Sequence, residues 1–202
     1  MTITDSEPVK KVRKALKDAG LADSVVELNS PLGNAAEAAK VFEVEPGAFV
    51  TTRIYAIGKR MVLVLLAGDH ECQEANLPAA FFLEGEVRTP SDAEVRGITG
   101  FTADCVPPVG FAHKLPTAID RSLKRFQRLY AIAGDPQCIF KTSITDLKRL
   151  TEGIVSYNIA KPVEGEAEVP RVPRNKTFTG ERKVPGVEDG VEDVIKDGAE
   201  PG

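Results

Sequence analysis

Residues 97–111, Gly-Ile-Thr-Gly-Phe-Thr-Ala-Asp-Cys-Val-Pro-Pro-Val-Gly-Phe, are the stretch best suited to hold a reacting group without a metal. Gly97, Gly100 and Gly110 permit backbone conformations and close approaches that a Cβ forbids. Pro107 and Pro108 supply no N–H and push the residues before them towards extended geometry, so the segment reads as a loop rather than a helix or central strand. Ile98, Phe101, Val106, Val109 and Phe111 are apolar, which predicts a packed loop. Packed loops with free backbone N–H groups can hold a ligand's oxygen. A rigid connector between two strands would use the same residues.

Other reactive side chains are sparse. Cys72, Cys105 and Cys138 are odd in number and widely spaced, which is not a disulfide framework. His70-Glu71-Cys72 could begin a metal site, but His113 is the only other histidine and no second ligand pair has zinc-site spacing. No metal and no cofactor are therefore expected. There is no P-loop, no dinucleotide-binding glycine pattern and no Gly-x-Ser-x-Gly elbow. Arg121, Lys124, Arg125 and Arg128 recur at helical spacing. They suit a basic face for RNA phosphates, or equally an ordinary solvated face. The net charge of −4 gives no global field favouring nucleic acid, so such contact would be local, and no DNA partner is expected.

The elements that must position these residues read as one mixed α/β domain over residues 1–160. Its composition, 42% hydrophobic and 28% charged, is that of a soluble globular chain with a core large enough to need no staple. A helix is expected over 9–19 after Ser6-Glu7-Pro8, a strand over 25–28 and an alanine-rich helix over 34–42 capped by Asn34. Residues 49–57 and 61–67 are β-rich runs flanking Gly58-Lys59-Arg60, a hairpin pattern. Alternation puts Val50, Thr52, Ile54 and Ala56 on one face and Thr51, Arg53 and Tyr55 on the other. A helix over 71–83 follows, then a short strand at 86–88 and a helix over 91–96 opened by Ser91 with Glu94 three residues on. Beyond the 97–111 loop come strands at 117–119, 129–133 and 137–141. A helix with a threonine cap runs from 143 towards 150, and 154–159 ends the domain. From residue 161 prolines, glycines and charges dominate, and this segment reads as an extended or disordered tail. The longest apolar run, 61–67, is too short to span a bilayer, and the polar, acidic start lacks the regions of a secretory signal. A cytoplasmic protein without membrane contact is the expectation.

Taken in order, Ala35-Ala36-Glu37-Ala38-Ala39, Pro46-Gly47, the strand ending at Asp69, Thr99-Gly100-Phe101, Val106-Pro107-Pro108-Val109-Gly110, Leu115-Pro116-Thr117-Ala118-Ile119-Asp120 and Asp146-Leu147 resemble the YbaK/prolyl-tRNA synthetase-associated editing domain. The resemblance covers roughly residues 8–160 and implies a curved mixed sheet surrounded by helices. It also implies metal-free hydrolysis of the ester of a mischarged aminoacyl-tRNA. In that family the glycine-proline loop offers backbone N–H groups to the scissile carbonyl, and a strand lysine lies at the pocket. Two positions depart from the pattern. Thr51 stands where the lysine is expected, and Asp104-Cys105 replace a glycine pair before Val106-Pro107-Pro108. Arg53, two residues on and on the same strand face, is the candidate replacement cation. The resemblance therefore makes Thr51 and Arg53 the candidate catalytic residues. Tyr55, Gly100, Asp104, Cys105, Val106, Pro107, Pro108 and Gly110 become the candidate substrate-binding residues. The acceptor end of an aminoacyl-tRNA is the expected partner, with a catalytically silent tRNA-, aminoacyl- or protein-binding relative as the alternative.

Overall fold

The computed structural model describes residues 3–31 and 34–163. The expected helices form where apolar spacing and caps agree. Helix α1 (Glu7–Asp18) places Val9, Val12 and Leu16 on one buried stripe, with Pro8 in its first turn, where a missing N–H costs nothing. Helix α2 (Ala35–Phe42) is capped by Asn34, whose side chain accepts from the Glu37 N–H.

The core is a curved mixed sheet. Strand β1 is Val25–Glu27, β2 is Phe49–Ile57 and β3 is Arg60–Ala67. β4 is His70–Cys72, β5 is Val87–Arg88 and β6 is Thr117–Asp120. β7 is Leu129–Asp135, β8 is Cys138–Thr142, β9 is Ile154–Ser156 and β10 is Ala160–Pro162. The main sheet runs β1-β8-β7-β2-β3-β6-β9, with β5 added beside β2, and β10 pairs with β4 in a second, small sheet. β2 and β3 form the expected hairpin, Ile57 opposite Arg60, and Gly58 takes the positive φ that its tight turn requires. Pairing is parallel at β2–β7, β3–β6 and β6–β9. β3 is central and buried nearly throughout, as its unbroken apolar run predicts.

The two faces of this sheet have different coverings. On the first, Val50, Ile54, Leu63, Leu65 and Ile119 pack with α1 and with Phe101, Val106 and Val109. On the second, Tyr55, Val62, Val64, Leu66 and Ala118 pack with Leu77 and Ile159. Farther along the second face, Phe49, Tyr130 and Ile139 pack under Ala38 and Ala39 of α2.

Four local expectations are corrected. Residues 71–83 are not one helix. His70–Cys72 pair with β10, a distant partner that no local pattern reveals, and only Leu77–Phe81 (α3) is α-helical, with Pro78 in its first turn. Helix α4 (Asp92–Thr99) runs three residues beyond 96 and takes in Gly97, Ile98 and Thr99, so the loop proper begins at Gly100. The capping box is strong enough to carry the helix through Gly97, and Gly100, at φ 76°, ends it. Helix α5 (Ile144–Thr151) is capped by Ser143, which accepts from the Asp146 N–H, not by a threonine. Finally, β7 continues through Gly134 to Asp135, with a register shift before β8. The last strand, β10, spans residue 160 and so crosses the position where the tail is expected to begin. Residues 164–202, on which most of the tail expectation falls, lie outside the described residues.

Candidate functional site

On the second sheet face β2 presents Thr51 opposite Leu66, Arg53 opposite Val64 and Tyr55 opposite Val62. Phe42, Phe49 and Tyr130 form a ring cluster on one side of this row, with centroids 5.1–5.7 Å apart. Leu77 and Ile159 cover Tyr55 on the other. Between the two clusters Thr51 is half-buried and Arg53 exposed, and Arg53 makes no ion pair among the described residues.

Polar groups from other elements gather on this side. Asp120, at the end of β6, is buried and accepts from the Ser122 N–H at 2.9 Å. The Ser122 hydroxyl is itself buried and has no hydrogen-bond partner among the described residues. Asp69, just past β3, takes two hydrogen bonds from the Arg125 guanidinium, at 2.7 and 2.8 Å, and lies 2.6 Å from His70 Nδ1. Burial pushes the Asp69 carboxyl up, but the bonds from Arg125 and His70 outweigh it and hold the group below its ordinary value. Gly47 makes room for this cluster, because a Cβ there would lie 2.7 Å from both Arg125 Nη2 and Asp69 Oδ2. Burial, reinforced by a hydrogen bond with Cys72, holds the Tyr55 hydroxyl far above its usual range, and burial also raises the Cys72 thiol. Neither is a nucleophile at neutral pH.

The loop from Gly100 to Phe111 is on the first face. Phe101 is buried against α1 and meets Phe111 edge-on at 5.9 Å. Pro107 and Pro108 are buried. Gly110, at φ 94°, lies against the Lys11 backbone, which a Cβ would approach to 3.3 Å. Asp104 is exposed, and the half-buried Cys105 thiol is pushed up by burial and then by the charges of Asp135 and Asp104. Pro108, Val109 and Gly110 line a cleft of about 340 Å³ with Ala15, Asp18 and Ala19 of α1 and with Lys114 and Arg149.

The expected site residues thus form two groups. Thr51, Arg53 and Tyr55 share one face, while the Gly100–Gly110 segment packs on the other, with Val50 and Ile54 between them in the core. As β2 alternates, Thr51, Arg53 and Tyr55 share one face, as expected, and the residues of β2 on the loop side are the even-numbered ones. The four basic residues also divide. Arg125 is bound to Asp69 and rests 4.9 Å from the Phe126 ring, whereas Arg121 and Lys124 flank Tyr157. The place of Tyr157 beside Arg121 and Lys124 is not legible in the sequence, because it follows from β6–β9 pairing.

The model of the aminoacyl-tRNA editing domain matches residues 29–150, more than half of the chain. A Bacillus subtilis (strain 168) protein, the uncharacterized YwhH, is 26% identical over 107 residues, covering 53% of this chain and 67% of its own length. Among solved structures, a candidate trans-editing enzyme for prolyl tRNA synthetase superposes with a TM-score of 0.68 at 30% identity, over 75% of this chain and 96% of that one. A scaffold used for computational grafting of linear epitopes gives 0.71 at 27% identity, over 78% and 99%.

Proposed function

Because the chain belongs to the aminoacyl-tRNA editing domain family, we propose that it hydrolyses the ester of a mischarged aminoacyl-tRNA, with Thr51 and Arg53 at the reacting carbonyl. The observation carrying this reading is the row on β2, where Arg53 stands exposed and without an ion-pair partner among the described residues, two residues from the position at which the resemblance expects a lysine. In the reaction a water oxygen adds to the carbonyl carbon. The negative charge develops on the carbonyl oxygen and the C–O bond to the ribose then breaks, the ribose oxygen taking up a proton as the added water gives one up. The Arg53 guanidinium can donate two N–H groups to that oxygen, while the Thr51 hydroxyl donates one hydrogen bond.

Deacylation of a panel of aminoacylated tRNAs tests this, and tRNA(Pro) comes first because of the similarity to a candidate prolyl trans-editing enzyme. Arg53→Ala should lower kcat about 10²–10³-fold if the guanidinium acts as an oxyanion donor, and Thr51→Ala much less. Equal rates for Arg53→Ala and the parent chain would remove Arg53 from the mechanism.

A second reading is a relative that binds without hydrolysing. It is favoured by the cleft at Pro108–Gly110, whose apolar walls suit the side chain of an aminoacyl group better than the water-open row does. Gly100, Asp104, Cys105, Val106 and Pro107 would then shape the approach to that cleft. A parent chain inactive on every tRNA, with hydrolysis recovered by Thr51→Lys, would select this reading.

A further inference from the structure

Tyr157 follows β9 directly and is 58% exposed, in a chain whose other aromatic rings are mostly packed. The Arg121 guanidinium lies 5.5 Å from its ring centroid and the Lys124 ammonium 5.8 Å. Both cations are exposed and neither has an ion-pair partner among the described residues. Two cations gathered on one ring repel each other. An exposed ring offers only modest cation–π energy to offset this, and a larger gain is available when an anion lies between them.

We infer that Tyr157, Arg121 and Lys124 form a stacking platform for an unpaired base at the single-stranded 3′ end of an RNA acceptor stem. The flat ring takes the base, and the two cations take the phosphates on either side of it. Single-stranded RNA is held in this way, by aromatic faces for unstacked bases and by positive charge along the backbone. An apolar protein partner fits poorly, because the ring is fenced by two positive charges that such a partner would leave unpaired.

The platform's position agrees with its use. Ser156 pairs with Asp120, and Asp120 follows Ile119, which pairs with Leu65 beside the Leu66–Thr51 row. The platform is therefore at the same strand ends as Thr51, about three strand spacings or ~14 Å across the sheet. An acceptor end seated on Tyr157 can run along these strand ends towards Arg53. This inference rests on the deacylase reading only for that direction of travel. The stacking itself is independent of it.

The test uses the full chain and a fluorescent RNA minihelix with a single-stranded 3′ end, titrated by anisotropy at two salt concentrations. Tyr157→Ala should weaken binding about tenfold or more, and Tyr157→Phe should retain it. Arg121→Ala and Lys124→Ala should each weaken binding and reduce its salt dependence. A blunt-ended duplex of the same stem should compete poorly. The ring is exposed, so a melting temperature equal to the parent's certifies the fold of each variant. Equal affinity for Tyr157→Ala and the parent, equal competition by the blunt duplex, or no minihelix binding by the parent would overturn the proposal. Tyr157-dependent binding by a chain that deacylates nothing would uphold the platform and remove the hydrolase reading. Deacylation with an unchanged KM in Tyr157→Ala would do the reverse.

Discussion

The Gly100–Phe111 loop and the Thr51–Tyr55 row both draw attention in the sequence, yet they owe their residue types to different causes. Nearly every unusual residue in the loop has a packing reason. Gly100 ends α4 at a positive φ, Gly110 passes against the α1 backbone, and Phe101 and the two prolines are buried. Gly134 on β7 is matched to the same packing, since a Cβ there would come 2.8 Å from the Phe101 ring. In the row, Tyr55 is explained by burial, but Arg53 is exposed and has no ion-pair partner among the described residues. A residue whose identity the packing does not require is the better candidate for chemistry.

The sharpest separation of the two regions comes from paired substitutions. Phe101→Ala should cost about 3–5 kcal/mol of stability, as large-to-small changes in packed cores do, and should leave kcat per folded molecule unchanged. Arg53→Ala should do the opposite, with denaturant midpoints near the parent's and a large loss of rate. Urea unfolding combined with single-turnover deacylation reads both. A Phe101→Ala protein that stays folded and loses its activity would return the loop to the chemistry.

A smaller effect is expected at Asp69. Its carboxyl is held below its ordinary value in the folded chain, so the stability it contributes is complete above about pH 4, the unfolded carboxyl's value. That contribution is lost as the pH falls through the lower, folded value. Asp69→Asn should cost about 1–2 kcal/mol at neutral pH, the modest end for bonds to a charge because Arg125 is half exposed. Its acid limb should also be flatter in melting experiments from pH 2 to 6. An unchanged limb would show that the Arg125–Asp69 pair does not hold the strand ends around the row.

The smallest change is at the loop's entrance. Ser91 and Glu94 form a full capping box, and Arg88 binds Glu94 through both of its oxygens. These bonds, that of Arg88 foremost, take the Glu94 carboxyl down to about 2. Ser91→Ala should cost about 1 kcal/mol, measured as a shift in the urea midpoint with the slope unchanged. A much larger loss would mean that α4 steers the loop after it.

How legible all this was depends on where each partner lies. The β2–β3 hairpin was readable because its partners are adjacent, two β-rich runs on either side of Gly58-Lys59. Helix α2 was readable because Asn34 caps it within four residues. β4 was not, since His70–Cys72 pair with residues 160–162, and three residues carry no period of their own. The site followed the same rule. Thr51 and Arg53 share a face by simple alternation, but that the loop is on the other face depends on how α1 packs, and Tyr157 reaches Arg121 only through parallel pairing of β6 with β9. Arg125 looked like its three basic neighbours until the fold gave it Asp69.

The pairing of β1 with β8 sets Val25 beside Phe140, although 115 residues separate them. A ribosome must therefore have synthesised most of the domain before the first strand finds its neighbour, whereas α1's apolar stripe of Val9, Val12 and Leu16 can meet the β2–β3 hairpin well before then. Closing so long a loop comes late and slowly in folding. The nascent chain thus spends that interval with β1 unpaired, the period in which a chaperone would have most to do.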